Sequence, residues 1–244
     1  MINIQKTSGI ADPSKLKYLI YGAPKVGKST FSSMFPNALF AATEPGHDFL
    51  KLDKVDIKDI EDFRAVGRHL IKEKHDYKTL VIDTVDGLYD LACEEVCKIN
   101  GVKAISDIKW GQGYTDATKN IYKVLSHVHK AGLGLIFITH AEMKEFDILR
   151  NVPDGEGGHI TTTSTVKHVT TTLTGKFKKL VHAYSDMIFY LYADDDGNRF
   201  IKTKPENSVE GGDRSGKLPS IMKLDYEEFK KNMDKIDNTN KKGK

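Results

Sequence analysis

Apolar residues along the chain fall into short runs that alternate with stretches of helical periodicity. Four short runs bounded by turn residues predict buried strands at residues 17–21, 38–43, 79–82 and 133–139. Apolar side chains recurring every three to four positions predict helices over residues 28–35, 59–74, 88–99 and 116–130. This alternation predicts an α/β fold with a mainly parallel central sheet flanked by helices.

The pattern changes after the fourth apolar run. Residues 141–175 combine charges, glycines and a threonine-rich stretch without a core pattern, so we expect a loop. A helix is predicted over residues 176–184. Two more strands, at 187–192 and 199–203, flank an Asp-rich turn and predict a C-terminal β-hairpin.

Composition refines the domain organisation. The 244 residues suffice for one large domain, expected over residues 16–230, with a flexible arm at 1–15 and a disordered basic tail at 231–244. The net charge of +3 permits a nucleic-acid partner without requiring one. No apolar run approaches the roughly 20 residues that cross a bilayer. We therefore expect a cytoplasmic protein without a membrane partner.

Two cysteines, Cys93 and Cys97, share one face of a predicted helix. A metal site would need further ligands, and none lies nearby in the sequence. We expect both cysteines to be packing residues, with metal and redox roles as the alternatives.

A glycine-rich motif follows the first predicted strand, where residues 22–29 match G-x-x-x-x-G-K-[S/T]. Such a loop points its backbone N–H groups at phosphate oxygens, and the next helix directs its positive end at the same anion. We expect Lys28 to contact the β and γ phosphates of ATP and Ser29 to bind Mg²⁺. The predicted nucleotide-binding residues are Gly22, Ala23, Pro24, Lys25, Val26, Gly27, Lys28, Ser29 and Thr30.

Polar residues also follow the later predicted strands. Asp83 ends the third strand and is the expected second Mg²⁺ ligand, whereas Asp86 is expected to cap the next helix. Glu44 and His140 follow the second and fourth strands, at the edge where parallel sheets bind ligands. We predict that Glu44 orients the attacking water and that His140 senses the γ-phosphate. The alternatives are a glutamate in a surface turn and a capping histidine.

Four segments, GAPKVGKST, TEPG, LVIDT and FITH, together resemble the core of RecA-type ATPases. The segments WGQGY and FIKTKPENSVEGGDRSGKLP make the chain similar to compact phage-type RecA-like ATPases of recombination and single-strand annealing, which are AAA-type ATP-binding phage proteins. The resemblance covers roughly residues 16–222. It implies a RecA-like P-loop fold, the cofactors ATP and Mg²⁺, and catalytic roles for Lys28, Glu44 and His140. The residue that senses the γ-phosphate is often glutamine in this family, so His140 departs from the family pattern.

The resemblance also implies a homo-oligomer, because RecA-like proteins usually hold ATP between subunits. Lys202 and Lys204 lie on one face of a predicted strand and, with Arg214, are the candidates for contacts to a neighbour's nucleotide. The alternative is a solvated, charged strand edge.

RecA-like proteins bind DNA through loops that correspond here to residues 100–114 and 141–175. The predicted DNA-binding residues are Lys144, Lys167, His168, Lys176, Lys178 and Lys179. Lysines and hydroxyls suit phosphate contact, and Phe146 and Phe177 are the candidate stacking platforms. The alternative is a flexible surface loop.

We therefore expect a slow, DNA-stimulated ATPase that acts on single-stranded DNA in recombination or annealing. A single-strand-binding protein is a further partner that this function allows. Two alternatives remain open: a helicase-type or helicase-loading replication ATPase, and a nucleotide-switched binding protein without a DNA role.

Overall fold

The computed structural model of the protein describes residues 12–153 and 158–242. Its strands are β1 (Lys17–Gly22), β2 (Ala38–Ala42), β3 (Asp53–Asp56), β4 (Thr79–Asp83), β5 (Gly134–Pro153), β6 (His159–Thr171), β7 (Met187–Ala193), β8 (Arg199–Lys202), β9 (Gly212–Asp213) and β10 (Ile221–Lys223). Its α-helices are α1 (Lys28–Ser33), α2 (Ile60–Lys72), α3 (Val85–Asn100), α4 (Gln112–Lys130), α5 (Gly175–Tyr184) and α6 (Tyr226–Lys242). Short 3₁₀ turns occupy Pro13–Lys15, Ile105–Asp107 and Lys109–Gly111.

The central sheet has the order β10-β8-β7-β1-β5-β4-β2-β3. Its six strands from β7 to β3 are parallel, and β8, β9 and β10 add antiparallel pairs. Gly22, at the end of β1, lies opposite both His140 on β5 and Leu191 on β7. The predicted parallel sheet and C-terminal hairpin are therefore confirmed, and β1 places the glycine-rich loop at the centre of the carboxyl edge.

Helices cover both faces of the sheet, because alternate side chains of the buried strands point in opposite directions. On one face, Leu19 and Phe137 pack with apolar residues of α2, α3, α4 and α5. On the other face, Ile20 and Phe189 pack against α1 and α6. Strands buried on both faces explain why the sequence showed continuous apolar runs rather than alternation.

The long hairpin formed by β5 and β6 corrects the expectation of a loop over residues 141–175. β5 continues beyond His140 and pairs antiparallel with β6 in a separate two-stranded sheet, with Ala141 opposite Thr171. Most described hairpin side chains near the tip are exposed, so the segment carries no core pattern. Its threonines and valines favour extended backbone without burial.

Two other elements differ from the predictions. Strand β3 pairs with β2 at the sheet edge, but its four residues are all exposed, so it carries no apolar signal. The structure also has a helix, α6, where a disordered tail was expected from residue 231, because Phe229 and Met233 are buried in the core. Of the predicted N-terminal arm, residues 1–11 lie outside the described residues, and Asp12 caps the first 3₁₀ turn. Within the described residues, no helix has the length and apolarity to span a membrane.

Candidate nucleotide site

The loop between β1 and α1 has the backbone of a phosphate-binding turn. Gly22 has no room for a side chain, since a Cβ there would lie 2.3 Å from the carbonyl oxygen of Leu191. Gly27 has φ of 113° and precedes the first turn of α1, a conformation that glycine adopts without strain. Lys25 also has positive φ, at 64°. The loop therefore turns tightly into α1, whose first residues, from Lys28, line the adjoining cavity.

Lys28 lies folded over this loop. Its Nζ donates hydrogen bonds to the carbonyl oxygens of Gly22 at 2.9 Å and Ala23 at 3.0 Å. Burial lowers the pKa of Lys28, while the carboxylates of Asp83 and Glu44 oppose that shift. Because the Lys28 ammonium is already partly removed from water, it can exchange the loop carbonyls for phosphate oxygens at little further desolvation cost.

Ser29 and Asp83 meet beneath the loop, as the sequence predicted for a Mg²⁺ site. The Ser29 hydroxyl donates to Asp83 Oδ2 at 2.6 Å. One hydroxyl and one carboxylate are oxygen ligands of the kind Mg²⁺ takes alongside phosphate oxygens and water. The residues present therefore fit a magnesium ion bound with a nucleotide.

His47 is a site residue that the sequence analysis did not predict. Its ring Nε2 lies 2.9 Å from Asp83 Oδ2, and both side chains are buried. The residue follows β2 in the same turn as Glu44, but no spacing rule links it to Asp83. His47 therefore contacts the same Asp83 oxygen, Oδ2, that accepts the hydrogen bond from Ser29.

Glu44 and His140 also meet at the cavity. Glu44 Oε1 accepts a hydrogen bond from the Thr84 hydroxyl at 2.7 Å, and Glu44 Oε2 lies 3.5 Å from His140 Nε2. Thr84 is tied in turn to Thr43, whose hydroxyl accepts from the Thr84 N–H at 2.9 Å. These contacts direct the partly exposed Glu44 carboxylate towards the space above the P-loop.

Asp86 does not cap α3. The cap is Thr84, whose hydroxyl accepts from the N–H of Gly87, and the helix begins earlier than predicted, at Val85. Asp86 instead accepts a hydrogen bond from the Thr172 hydroxyl at 2.5 Å. Thr84 thus both caps α3 and donates to Glu44.

These residues surround one cavity of about 540 Å³. The P-loop forms its floor, and Asp83, Glu44 and His140 line one side. Arg199, the first residue of β8, also lines the cavity and was not predicted. In the sequence, its positive charge does not distinguish Arg199 from the other basic residues of the C-terminal hairpin.

The predicted contacts to a neighbouring subunit's nucleotide lie elsewhere and are paired within the chain. Three ion pairs occupy them: Lys202 with Glu206 at 2.5 Å, Lys204 with Asp213 at 3.0 Å, and Arg214 with Asp186 at 2.9 Å. The partner of Arg214 also pairs with Lys17 at the start of β1, which is the sheet edge opposite the P-loop. All three would have to exchange these partners to bind a nucleotide.

Most of the predicted DNA-binding residues lie on or beside the β5–β6 hairpin, and three of the five lysines among them are in ion pairs. These pairs join Lys144 to Glu142 at 2.8 Å, Lys167 to Glu145 at 3.6 Å, and Lys178 to Glu210 at 2.8 Å. Pairing within the chain reduces the positive field that this surface can present to phosphates.

The other DNA candidates differ in their surroundings. The ring of His168 contacts the carbonyl oxygen of Asn207 at 2.9 Å, Lys176 donates to the Thr115 hydroxyl at 2.9 Å, and Lys179 is exposed. Phe146 is half exposed, as a stacking platform requires. Phe177 cannot serve as one, because it is fully buried and stacked on Tyr89 at 4.2 Å. Burial was not apparent because lysines flank Phe177 on both sides in the sequence.

The two cysteines are free thiols on one face of α3, and both are half-buried. Burial raises the pKa of Cys93 to about 11. Their packing role stays a prediction.

A phosphate-binding turn at the centre of a parallel sheet, with an acidic residue ending a nearby strand, is the arrangement of a P-loop nucleotide site. A family model described as "AAA domain" matches residues 14–215, and the chain belongs to that family of P-loop ATPases.

The individual proteins to which the chain is similar share little sequence identity with it. The chain is 27% identical over 128 residues to the "SPbeta prophage-derived uncharacterized protein YorG" of Bacillus subtilis (strain 168), a match that spans 50% of this chain and 40% of that protein. The matched part thus covers less than half of the length of this curated relative. Among solved structures, the KaiC-like protein PH0186 from Pyrococcus horikoshii OT3 aligns over 82% of this chain and 87% of its own, with 14% identity and a TM-score of 0.44.

Proposed function

We propose that the protein binds ATP with Mg²⁺ and hydrolyses the bond between the β and γ phosphates. The observation that carries this proposal is the 2.6 Å contact between Ser29 and Asp83 directly beneath the P-loop. A hydroxyl and a carboxylate are oxygen ligands that could hold Mg²⁺ beside a bound nucleotide, which supports the proposal.

Each residue of the site has a distinct role in this reaction. Bound Mg²⁺ would neutralise charge on the phosphates, held by Ser29 and Asp83. Lys28 leaves the loop carbonyls and donates to β and γ oxygens, where negative charge develops. Glu44 orients the attacking water and accepts its proton, while Thr84 holds the carboxylate in place. His140 lies within reach of both Glu44 and a γ-phosphate.

We further propose that the ATPase acts on single-stranded DNA in recombination or annealing. Support comes from the β5–β6 hairpin, which continues directly from His140 and projects exposed side chains beyond the sheet. A bound γ-phosphate would therefore act on β5, which carries Lys144 and pairs with β6, the strand of Lys167 and His168. The exposed Trp110, between α3 and α4, adds a stacking surface in the first predicted DNA loop. The prophage origin in the relative's name is compatible with such a role.

Assembly into a homo-oligomer belongs to the same proposal. Lys202, Lys204 and Arg214 would reach a neighbour's nucleotide after exchanging their present carboxylate partners. A single-strand-binding protein would be a further partner on DNA.

One observation favours the alternative of a nucleotide-switched binding protein without a DNA role. Three of the five candidate lysines on the hairpin side pair with carboxylates of their own chain. A surface of this kind would bind phosphates more weakly than its lysine content suggests.

The deciding experiment measures steady-state ATPase rates with and without single-stranded DNA at low salt. We expect stimulation by DNA in the wild type and no activity in Lys28→Ala. Turnover that DNA does not change, together with no gel shift, would favour the nucleotide-switched protein. Strand unwinding coupled to turnover would instead favour the helicase-type motor. Absence of ATP binding in the wild type would refute the nucleotide site itself.

A further inference from the structure

We propose that Arg199 binds the α-phosphate of the nucleotide from within the same chain and so sets the affinity for ADP and ATP alike. This inference rests on the proposed nucleotide site. Arg199 lies outside the P-loop and is separate from Glu44 and His140, the residues assigned to the γ-phosphate side.

The strand order places Arg199 at the correct edge of the sheet. β8 runs antiparallel to β7, and Arg199 lies opposite Ala193, the last residue of β7. Since β7 is parallel to β1, its last residues lie at the P-loop edge. Lys202, at the other end of β8, is carried away from that edge, although the two residues are only three positions apart.

The same order places Arg199 and the hydrolytic residues on opposite flanks of the P-loop. Strands β5, β4 and β2, which lead to His140, Asp83 and Glu44, lie on one side of β1. Strands β7 and β8 lie on the other side. A triphosphate with its γ-phosphate towards Glu44 directs its α-phosphate and nucleoside towards Arg199.

The immediate contacts of Arg199 suit a ligand more than a structural role. Its Nη1 lies 3.4 Å from the position that a Cβ on Gly27 would take, so the guanidinium lies over the P-loop backbone. Leu224 lies against the same glycine and donates its N–H to the Arg199 carbonyl at 2.8 Å. Among the described residues no carboxylate pairs with Arg199, in contrast to Lys202, Lys204 and Arg214. An unpaired guanidinium can therefore offer its fork of donors to phosphate oxygens.

The position predicts a specific kinetic signature. Both ATP and ADP carry the α-phosphate, and its charge changes little during cleavage of the β–γ bond. A contact there binds the ground state and the transition state equally, so its loss raises KM and leaves kcat unchanged.

The test compares wild type with Arg199→Gln by isothermal titration with Mg²⁺ plus ADP, and with a non-hydrolysable ATP analogue. We expect both dissociation constants to rise about 10-fold, the lower range for a bond to a charged group, while kcat stays within twofold. Lys223→Gln, an exposed lysine on neighbouring β10 outside the cavity, is the matched control and should bind like wild type. Circular dichroism verifies that both variants fold.

Two results would overturn the inference. Unchanged affinity for both nucleotides would show that Arg199 does not bind the ligand. Weaker binding of the triphosphate alone would place Arg199 at the γ-phosphate and refute the α-phosphate assignment. If the wild type bound neither nucleotide, the proposed function would fail first, so the two failures are distinguishable.

Discussion

Replacing Glu44 by glutamine tests the hydrolytic mechanism with little disturbance of the site. Glutamine keeps an amide oxygen that can accept from the Thr84 hydroxyl, which now donates to Glu44 Oε1 at 2.7 Å. The other carboxylate oxygen, 3.5 Å from His140 Nε2, becomes an NH₂ group that cannot take a proton from water. The P-loop, Ser29 and Asp83 contact neither oxygen in a hydrogen bond, so nucleotide binding should be retained.

The size of the effect follows from the role assigned to the carboxylate. General-base catalysis contributes roughly 10²- to 10⁴-fold, which corresponds to about 2.7–5.4 kcal/mol of barrier. The Glu44 side chain is 42% exposed, so bulk water can partly replace its role. We therefore expect kcat to fall roughly 10²-fold, at the lower end of that range, with KM within about threefold of wild type.

The assay is release of inorganic phosphate at saturating Mg²⁺ and ATP, with binding of a non-hydrolysable analogue measured in parallel. Glu94→Gln, an exposed residue on α3, removes an equal charge away from the Glu44 contacts and should leave kcat unchanged. A Glu44→Gln enzyme that keeps more than a tenth of wild-type kcat would show that another group orients the water.

Three further predictions follow from other residues. His47→Ala removes a buried hydrogen bond to the Asp83 carboxylate, so urea unfolding should show a loss of about 1.5–3 kcal/mol in the free energy of unfolding. The exposed control His69→Ala should show almost no loss. Equal stabilities of the two variants would contradict the buried contact. Trp110 is the one tryptophan of the chain and is 97% exposed with φ of 61°, so single-stranded oligonucleotides should quench its fluorescence if it stacks on bases; unchanged fluorescence under conditions where DNA is bound would exclude that stacking. Because burial raises the pKa of Cys93 to about 11, the thiol stays protonated near neutral pH, and alkylation should accelerate steeply only as pH rises towards that pKa. Fast labelling of Cys93 at pH 7, identified by peptide mass, would contradict this protection.

The parts of the site that depend on local sequence pattern could be predicted from the sequence. A P-loop needs a strand, a glycine-rich turn and a helix in succession, and all three are encoded within residues 17–33. Asp83, Glu44 and His140 could be predicted because each directly follows an apolar run, and parallel strands bring their carboxyl ends to one edge. The long apolar runs themselves reflect burial on both faces of the sheet, which also made the strands easy to recognise.

The site residues that the sequence analysis missed have partners determined by strand order rather than by distance along the chain. His47 reaches Asp83 only because β2 lies next to β4, and Arg199 reaches the P-loop only because β8 follows β7 and β1. Neither adjacency leaves a periodicity or a spacing in the sequence, since the same residues in another strand order would lie on the surface. The β5–β6 hairpin was hidden for the complementary reason, because strands exposed on both sides have no apolar face. The residues that surround the P-loop glycines are therefore fixed by topology, which is why substitutions at His47 and Arg199 test the fold and the site together.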